Sequence, residues 1–348
     1  MRYLGFLLVA GVLTACTAPG SGPVSAPGPT PVATSAGSRT PSPSPMPLVA
    51  CELPYLTTPG YGPFTAVGFL KLPDGVFRPD PSASNSLPPG GVQAIPTPGG
   101  PQPWWDAQAK RWIPVDLSSV RPDGQSYAYM SADGLHRVLI ATGSDVLVYR
   151  RPKGVLGGQV LGYRADPYIV FPSAVKGGKG SVIANPPGQV GVWKVDIASG
   201  SASRIRRSDD AGSMVGDALW ITPVSGHTLG DSLDRVDLAS GQQTIWFTDP
   251  GRTIQFLGVD QVGLPIVWTF ADGHLEIWRI AAPNQATNFH SIDYTGAAPI
   301  YGPEMQQGLL IADQHGVWFG ASDGLYIYDG GGFRKIATTS GIPAGPCQ

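Results

Sequence analysis

The chain has 348 residues, of which only 14% are charged, and its formal net charge is −2 at pH 7. So weak a charge argues against a nucleic-acid partner, which would require a basic surface. The 47 glycines and 36 prolines favour short strands joined by tight turns over long helices.

Residues 1–15 predict a signal peptide. Arg2 provides the positive start, and the apolar stretch that follows is too short to span a bilayer. The segment Leu13-Thr14-Ala15-Cys16 resembles the bacterial lipobox. This resemblance implies cleavage before Cys16, acylation of its thiol with palmitate-like chains, and a lipoprotein anchored outside the cytoplasm. The alternative is an ordinary secretory signal with a chance cysteine.

Residues 16–49 predict a disordered tether that begins at the lipidated cysteine. They consist almost entirely of Pro, Ser, Thr, Gly and Ala, and Arg39 is the only charged residue. Such a composition cannot fill a hydrophobic core. The folded domain is therefore predicted to cover residues 50–348.

Two further cysteines stand near the limits of this domain, Cys51 at its start and Cys347 at its end. In an oxidising compartment two such residues are expected to pair, so a disulfide clasp is predicted. Two unpaired thiols are the alternative.

A strand–turn–strand pattern recurs along the domain. The residues that precede the successive turns lie about 45 residues apart on average, and they are Trp105, Ile140, Ile197, Leu238, Ile280 and Tyr328. Further strand candidates precede each copy, which makes four strands per unit. Six four-stranded units of this length predict an all-β fold, a six-bladed β-propeller. A seven-bladed propeller or a β-sandwich remains the alternative.

Two stretches resemble known propeller repeats. Ser119–Ser131, SVRPDGQSYAYMS, resembles the repeat of TolB-type propellers. Gly316–Ile336, GVWFGASDGLYIYDGGGFRKI, resembles the repeat of periplasmic propellers attached to bacterial two-component sensors. Each resemblance covers one unit, so it implies the architecture and no particular activity.

No catalytic, metal or cofactor motif stands out. The glycine run Gly330–Gly332 is followed by another strand candidate and not by a helix, so it predicts a hairpin turn and no phosphate loop. The five histidines lack the spacing of a metal site, and they are His136, His227, His274, His290 and His315. We therefore assign no metal, no cofactor and no catalytic residue.

The longest loops are the predicted ligand-binding region, because function concentrates on irregular loops of rigid scaffolds. These loops are Pro73–Gly100, Arg150–Gln159, Pro172–Gly191, Arg206–Ser213 and His290–Glu304. They carry a large share of the cations, namely Arg150, Arg151, Lys153, Lys176, Lys179, Arg206 and Arg207. An anionic ligand is expected there. Trp104 and Trp105, which follow a Gly/Pro-rich segment, are candidates for an exposed aromatic platform.

Two functions follow. The first is a monomeric binding or scaffolding module at the cell envelope, with an envelope protein, a peptide or an acidic glycan as its partner. The second is an extracytoplasmic glycan hydrolase or lyase, with acidic and histidine side chains converging at the central channel. Paired carboxylates at the channel mouth would favour the enzyme, and a basic mouth would favour binding.

Overall fold

The computed structural model describes residues 49–57, 66–85, 103–176, 182–207, 212–225, 228–293, 310–321, 323–330 and 332–348. Within these ranges the chain is all β, apart from two 3₁₀ turns at Pro81–Asn85 and Leu117–Ser119. The all-β prediction is therefore confirmed. In the same ranges we find no helix with the length and hydropathy of a membrane span. The signal peptide, Cys16 and the tether lie outside the described residues.

The strands are numbered in chain order. They are β1 (Cys51–Thr57), β2 (Ala66–Leu72), β3 (Val76–Pro79), β4 (Trp104–Asp106), β5 (Arg111–Ile113), β6 (Ser126–Met130), β7 (Gly134–Leu139), β8 (Asp145–Arg150), β9 (Gln159–Tyr163), β10 (Pro167–Phe171), β11 (Ala174–Lys176), β12 (Val182–Ala184), β13 (Gly191–Val195), β14 (Ala202–Arg206), β15 (Gly212–Val215), β16 (Ala218–Ile221), β17 (Val224–Ser225), β18 (Thr228–Leu229), β19 (Ser232–Asp237), β20 (Gln243–Thr248), β21 (Thr253–Val259), β22 (Pro265–Ala271), β23 (His274–Ala282), β24 (Gln285–Asp293), β25 (Leu310–Asp313), β26 (Gly316–Ala321), β27 (Gly324–Tyr328), β28 (Phe333–Ala337) and β29 (Gly341–Pro343).

Most sheets are antiparallel meanders of consecutive strands. The sheet β9-β10-β13-β14 carries the small hairpin β11–β12 between its second and third strands, and β15-β16-β19-β20 carries β17–β18 at the same point. The strands β21 to β24 form a third such sheet, and β25 to β28 pair in the same order. In the sheet β6-β7-β8, a single bridge from Val120 to Tyr127 stands where a first strand would lie.

The first and last strands of the described part of the chain share one sheet. The C-terminal strand β29 pairs antiparallel with β1, with Pro343 opposite Tyr55, and β1 continues into β2 and β3. The predicted disulfide is present, because Cys51 and Cys347 are bonded with their Cα atoms 5.7 Å apart. Closure is thus both hydrogen-bonded and covalent.

The innermost strands of successive sheets are neighbours in space. β6 lies next to β9, β9 next to β15, β15 next to β21, β21 next to β25, and β25 next to β29. Sheets that radiate from such a series of inner strands form a β-propeller. Apolar side chains fill the spaces between sheets. For example, Val170 and Val192 of one sheet pack with Leu219 and Val236 of the next.

In two of the sheets, a backbone hydrogen bond joins two successive turns of the same sheet. The backbone N–H of Ile140 donates to Gln125 O at 2.9 Å, and that of Leu238 donates to Asp217 O at 3.0 Å. In both cases the donor is the residue that precedes the turn between the last two strands, and the acceptor is a carbonyl in the turn between the first two strands. The two turns are thus joined in the same way in the sheet of β6 and in the sheet of β15.

The first predicted repeat unit was assigned to the wrong hairpin. The strand–turn–strand copy around Trp105 is expected to supply the last two strands of the first unit, whereas β4 and β5 form a separate two-stranded sheet. The outer hairpin of the first sheet is β2–β3, which turns at residues 73–75. Both segments contain turn-forming residues, and the pattern alone does not reveal which hairpin joins the sheet. β3 and β24 also occupy parts of the predicted loops Pro73–Gly100 and His290–Glu304.

The glycine run near the C-terminus forms a turn, as predicted. Asp329, Gly330 and Gly332 lie between β27 and β28, and Gly330 adopts φ +84°. This left-handed conformation favours glycine, because a Cβ would be strained there. Strand, turn and strand follow one another with no helix to bind a phosphate.

Candidate functional site

Three loop segments flank the sheet β9-β10-β13-β14 and are linked by hydrogen bonds, and the second of them has a gap in the described residues. We define the basic loop cluster as residues 150–158, 172–176, 182–190 and 204–207. These ranges contain no Asp or Glu, and six of their cations are Arg150, Arg151, Lys153, Arg204, Arg206 and Arg207. The cluster therefore concentrates positive charge on a chain of net charge −2.

Asn185 joins the first two segments of the cluster. Its side chain is 4% exposed. Its Oδ1 accepts from Leu156 N at 2.6 Å, and its Nδ2 donates to Leu156 O at 2.8 Å and to Pro172 O at 2.7 Å. A buried amide with three hydrogen bonds holds both loops in one arrangement. The sequence analysis missed Asn185, because nothing local distinguishes it from a surface residue.

The first segment presents cations beside the preceding sheet. Arg150 and Lys153 are exposed and Arg151 is half-buried. The Arg151 N–H donates to Asp133 O at 2.9 Å, which attaches the start of the segment to the turn between β6 and β7. Within the described part of the chain, these three side chains form no ion pair.

The third segment continues the basic surface. Arg206 donates from Nη1 to Gln243 Oε1 at 2.9 Å, and Arg207 is exposed. Arg204, which the sequence analysis did not select, donates to Gly188 O at 3.0 Å and lies 5.4 Å from the Trp193 ring. The Arg-x-Arg-Arg run was a signal that could have identified it. Lys176 lies in β11, but its side chain is not among those that the structure describes. Lys179 lies outside the described residues.

The two tryptophans expected to form an exposed platform are instead packed. Trp105 makes an edge contact with Phe69, with ring centroids 4.9 Å apart, and another with Trp112 at 5.4 Å. Trp104 packs against a separate apolar cluster that contains Ile113. Both tryptophans are half-buried, because the β4–β5 hairpin packs between the first sheet and the β6 sheet, and their role as a ligand platform stays a prediction.

His136 lies between two carboxylates on the sheet that precedes the basic loop cluster. Its Nε2 is 2.9 Å from Asp133 Oδ1 and its Nδ1 is 2.8 Å from Asp145 Oδ1. Burial lowers the pKa of His136, but the two carboxylates outweigh burial and raise it. Hydrogen bonds from Ser131 and His136 lower the pKa of Asp133 to about 2. Both ring nitrogens of His136 thus face carboxylates, which favours the protonated form of this imidazole.

His274 has the same kind of environment. Asp293 binds its Nδ1, and Glu276 Oε1 lies 3.3 Å from its Nε2. Hydrogen bonding to Asp293 is the main cause of its raised pKa. Arg252 Nη1 in turn is 3.0 Å from Glu276 Oε2. A general base needs a free ring nitrogen at the operating pH, and neither His136 nor His274 offers one.

We expect the contribution of His136 to stability to depend on pH. Because its folded-state pKa is raised, the stabilisation is fully present below the unfolded value of about 6.5 and is lost as the pH rises through the folded value. His136→Gln should therefore cost more at about pH 5.5 than at about pH 8.5. Urea unfolding at both pH values measures the difference.

His290 is the matched control, because burial lowers its pKa. The His290→Gln substitution should show the opposite trend, with a smaller cost at the acidic pH. Equal costs of His136→Gln at both pH values would contradict the charged pairing.

The closure of the ring brings together a third group of side chains. The Sγ atoms of Cys51 and Cys347 and a ring nitrogen of His315 lie within 4.8 Å of one another. These are ligand types that zinc prefers, although the two sulfurs are joined here as a disulfide. Sequence spacing could not reveal this group, because Cys51 lies 264 residues before His315.

No protein-family model matches the chain, and a search of curated proteins finds no relative. Among solved structures, the chain is similar to oligogalacturonate lyase in complex with manganese, with 13% identity, a TM-score of 0.42 and 63% of each chain covered. It is also similar to TolB from Acinetobacter baumannii, with 13% identity, a TM-score of 0.39, and 85% of this chain and 67% of that one covered.

A third similar structure is the extracellular domain of a one-component system from B. thetaiotaomicron. Its identity is 12%, its TM-score is 0.35, and 81% of this chain and 38% of that one are covered. The chain thus spans about two thirds of the first two structures and much less of the third.

Proposed function

We propose that the chain is a lipid-anchored, extracytoplasmic binding module that recognises a polycarboxylate ligand, a carboxylated glycan or an acidic peptide, at the basic loop cluster. The observation that carries this proposal is the buried Asn185 amide, which fixes two acid-free loops side by side. Cations on a fixed surface bind an anion with less loss of conformational entropy than cations on loose loops. Localisation outside the cytoplasm rests on the signal sequence and on the disulfide.

The propeller is proposed to have six blades. One blade is the sheet of β29, β1, β2 and β3, and the others start at Val120, β9, β15, β21 and β25. This grouping uses the long strands and leaves the hairpins β4–β5, β11–β12 and β17–β18 as insertions. A single ring of this kind, closed by its own ends, needs no second copy, so a monomer is expected.

Binding is favoured over catalysis by the state of two histidines. His136 and His274 each use both ring nitrogens on carboxylates, so both act as structural cations. A hydrolase or lyase would need an acid and a base that face a common substrate. The basic loop cluster instead offers Arg150, Arg151 and Lys153, which can hold an anion without any proton transfer.

We expect the full-length protein in detergent to bind an oligouronate or a polyglutamate peptide and to ignore a neutral oligosaccharide of equal length. Replacing Arg150, Arg151 and Lys153 together with glutamine should weaken binding at least about tenfold, because three charge contacts of up to about 1 kcal/mol each are lost. Isothermal titration measures the affinities. The affinity should also fall as salt rises.

The matched control removes three cations elsewhere, with Lys71, Arg78 and Lys110 changed to glutamine. Its affinity should stay within about twofold of the wild type, since the net charge changes equally in both variants. A second variant, Asn185→Ala, should weaken binding while the three cations remain. The proposal fails if neither polyanion binds or if both triple variants behave alike.

The lipid anchor is tested separately. Cys16→Ser should release the protein from the membrane fraction of the expressing cells, because the thiol that would carry the acyl chains is gone. Fractionation followed by immunoblotting measures this. Continued membrane association of the variant would contradict the anchor and leave the proposed ligand site unaffected.

A further inference from the structure

The two ends of the propeller meet at a group of side chains that could hold a metal ion. Cys347 is buried, and Cys51 and His315 are half-buried, so solvent reaches the edge of this group. We propose that, once the disulfide is reduced, Cys51, Cys347 and His315 bind Zn²⁺. The ends of the chain would then be held by the disulfide in one redox state and by the metal in the other.

Hydrogen bonds keep the three residues together without the disulfide. Both oxygens of the Asp313 carboxylate accept from the backbone, Oδ1 from His315 N at 2.8 Å and Oδ2 from Cys347 N at 2.9 Å. Gln348 N also donates to Glu52 O at 3.0 Å, directly beside Cys51. These contacts join the strand of Cys51, the turn of His315 and the C-terminal residues, and none of them involves sulfur.

The geometry of the group suits a tetrahedral ion. Zinc binds thiolate sulfur at about 2.3 Å and imidazole nitrogen at about 2.0–2.1 Å, which places ligand atoms roughly 3.5–4 Å apart. The three atoms here lie within 4.8 Å of one another while the two sulfurs are still bonded, so zinc binding requires the sulfurs to move apart after reduction, from Cα atoms that are 5.7 Å apart. Three protein ligands leave the fourth position to water.

A dithiol is the reductant that opens the disulfide. Two electrons from the dithiol cleave the bond between the sulfurs of Cys51 and Cys347, and the dithiol becomes a cyclic disulfide while two cysteine thiols form. Zinc coordination then releases one proton from each thiol to solvent. His315 binds as neutral imidazole through one ring nitrogen.

The test uses Co²⁺ as a spectroscopic substitute for Zn²⁺. Full-length protein is reduced with a dithiol, desalted without oxygen and titrated with Co²⁺, and a parallel sample is kept oxidised. We expect the reduced protein to bind one equivalent, with thiolate-to-cobalt charge-transfer bands that Zn²⁺ abolishes, and the oxidised protein to show none. Cys16 is changed to serine in all samples, so that only two thiols are present.

His315→Ala should weaken Co²⁺ binding at least tenfold, and His290→Ala should leave it unchanged. Circular dichroism of the reduced, metal-free protein should retain the β signal, because the Asp313 contacts persist. The proposal is overturned if the reduced protein shows no charge-transfer band, if His315→Ala binds as tightly as the wild type, or if reduction alone unfolds the chain.

Discussion

Replacing both Cys51 and Cys347 with serine should lower the free energy of unfolding by about 5 kcal/mol, which is near the upper limit given by chain entropy. The disulfide closes a loop with a sequence separation of 296 residues, so the unfolded chain gains much freedom when it is removed. The protein should still fold, because β29 remains paired with β1. Thermal unfolding followed by circular dichroism should show a decrease in Tm of about 10 °C or more.

The control for this experiment is Cys16→Ser, which changes the cysteine that lies outside the described residues. Its Tm should equal that of the wild type. A decrease below about 1 kcal/mol in the double variant would mean that the disulfide contributes little, and that β29 and its hydrogen bonds alone close the ring.

Replacing Gly320 with alanine should lower the free energy of unfolding by about 2–3 kcal/mol, because its Cβ has no room. Gly320 lies in β26, against the closing strand. An added Cβ would lie 2.3 Å from Gly341 O and 2.5 Å from Ile342 Cα, both of them backbone atoms that cannot rotate away. To admit the added methyl group, β26 and β29 must move apart where Gly320 faces Gly341.

Gly188→Ala is the matched control for this substitution. Gly188 is exposed, and a Cβ there would meet nothing within 4 Å. The change should therefore leave the stability within about 1 kcal/mol. Urea unfolding of both variants measures the contrast, and equal stabilities would contradict the tight packing of β29 on β26.

Parts of the fold were predictable because they depend on local rules. Short, nearly continuous apolar runs predict strands that are buried on both faces, as in β22 and β26. The repeat was visible because a strand–turn–strand pattern recurs, and Ile140 and Leu238 occupy equivalent positions before the last turn of their own sheets. The position of the two cysteines at the domain limits predicted their pairing, which the structure confirms.

Other features depend on residues that are far apart in the chain. The β4–β5 hairpin has the same local pattern as an outer hairpin, and only its packing with Phe69 and Ala344 excludes it from the sheet. Asn185 resembles a loop residue until Leu156 and Pro172 surround its amide. The sequence shows which loops carry cations. It does not show which of these loops lie side by side, because that depends on contacts such as those of Asn185.

By itself, the sequence determined the all-β class, the repeated unit, the disulfide and the basic character of the irregular loops, because composition, periodicity and turn chemistry are local properties. Only the tertiary structure decided that Trp105 is packed, that Asn185 connects two loops, and that His315 lies beside the disulfide. These contacts form only after the ends of the chain have met, and no local rule encodes a partner that is hundreds of residues away.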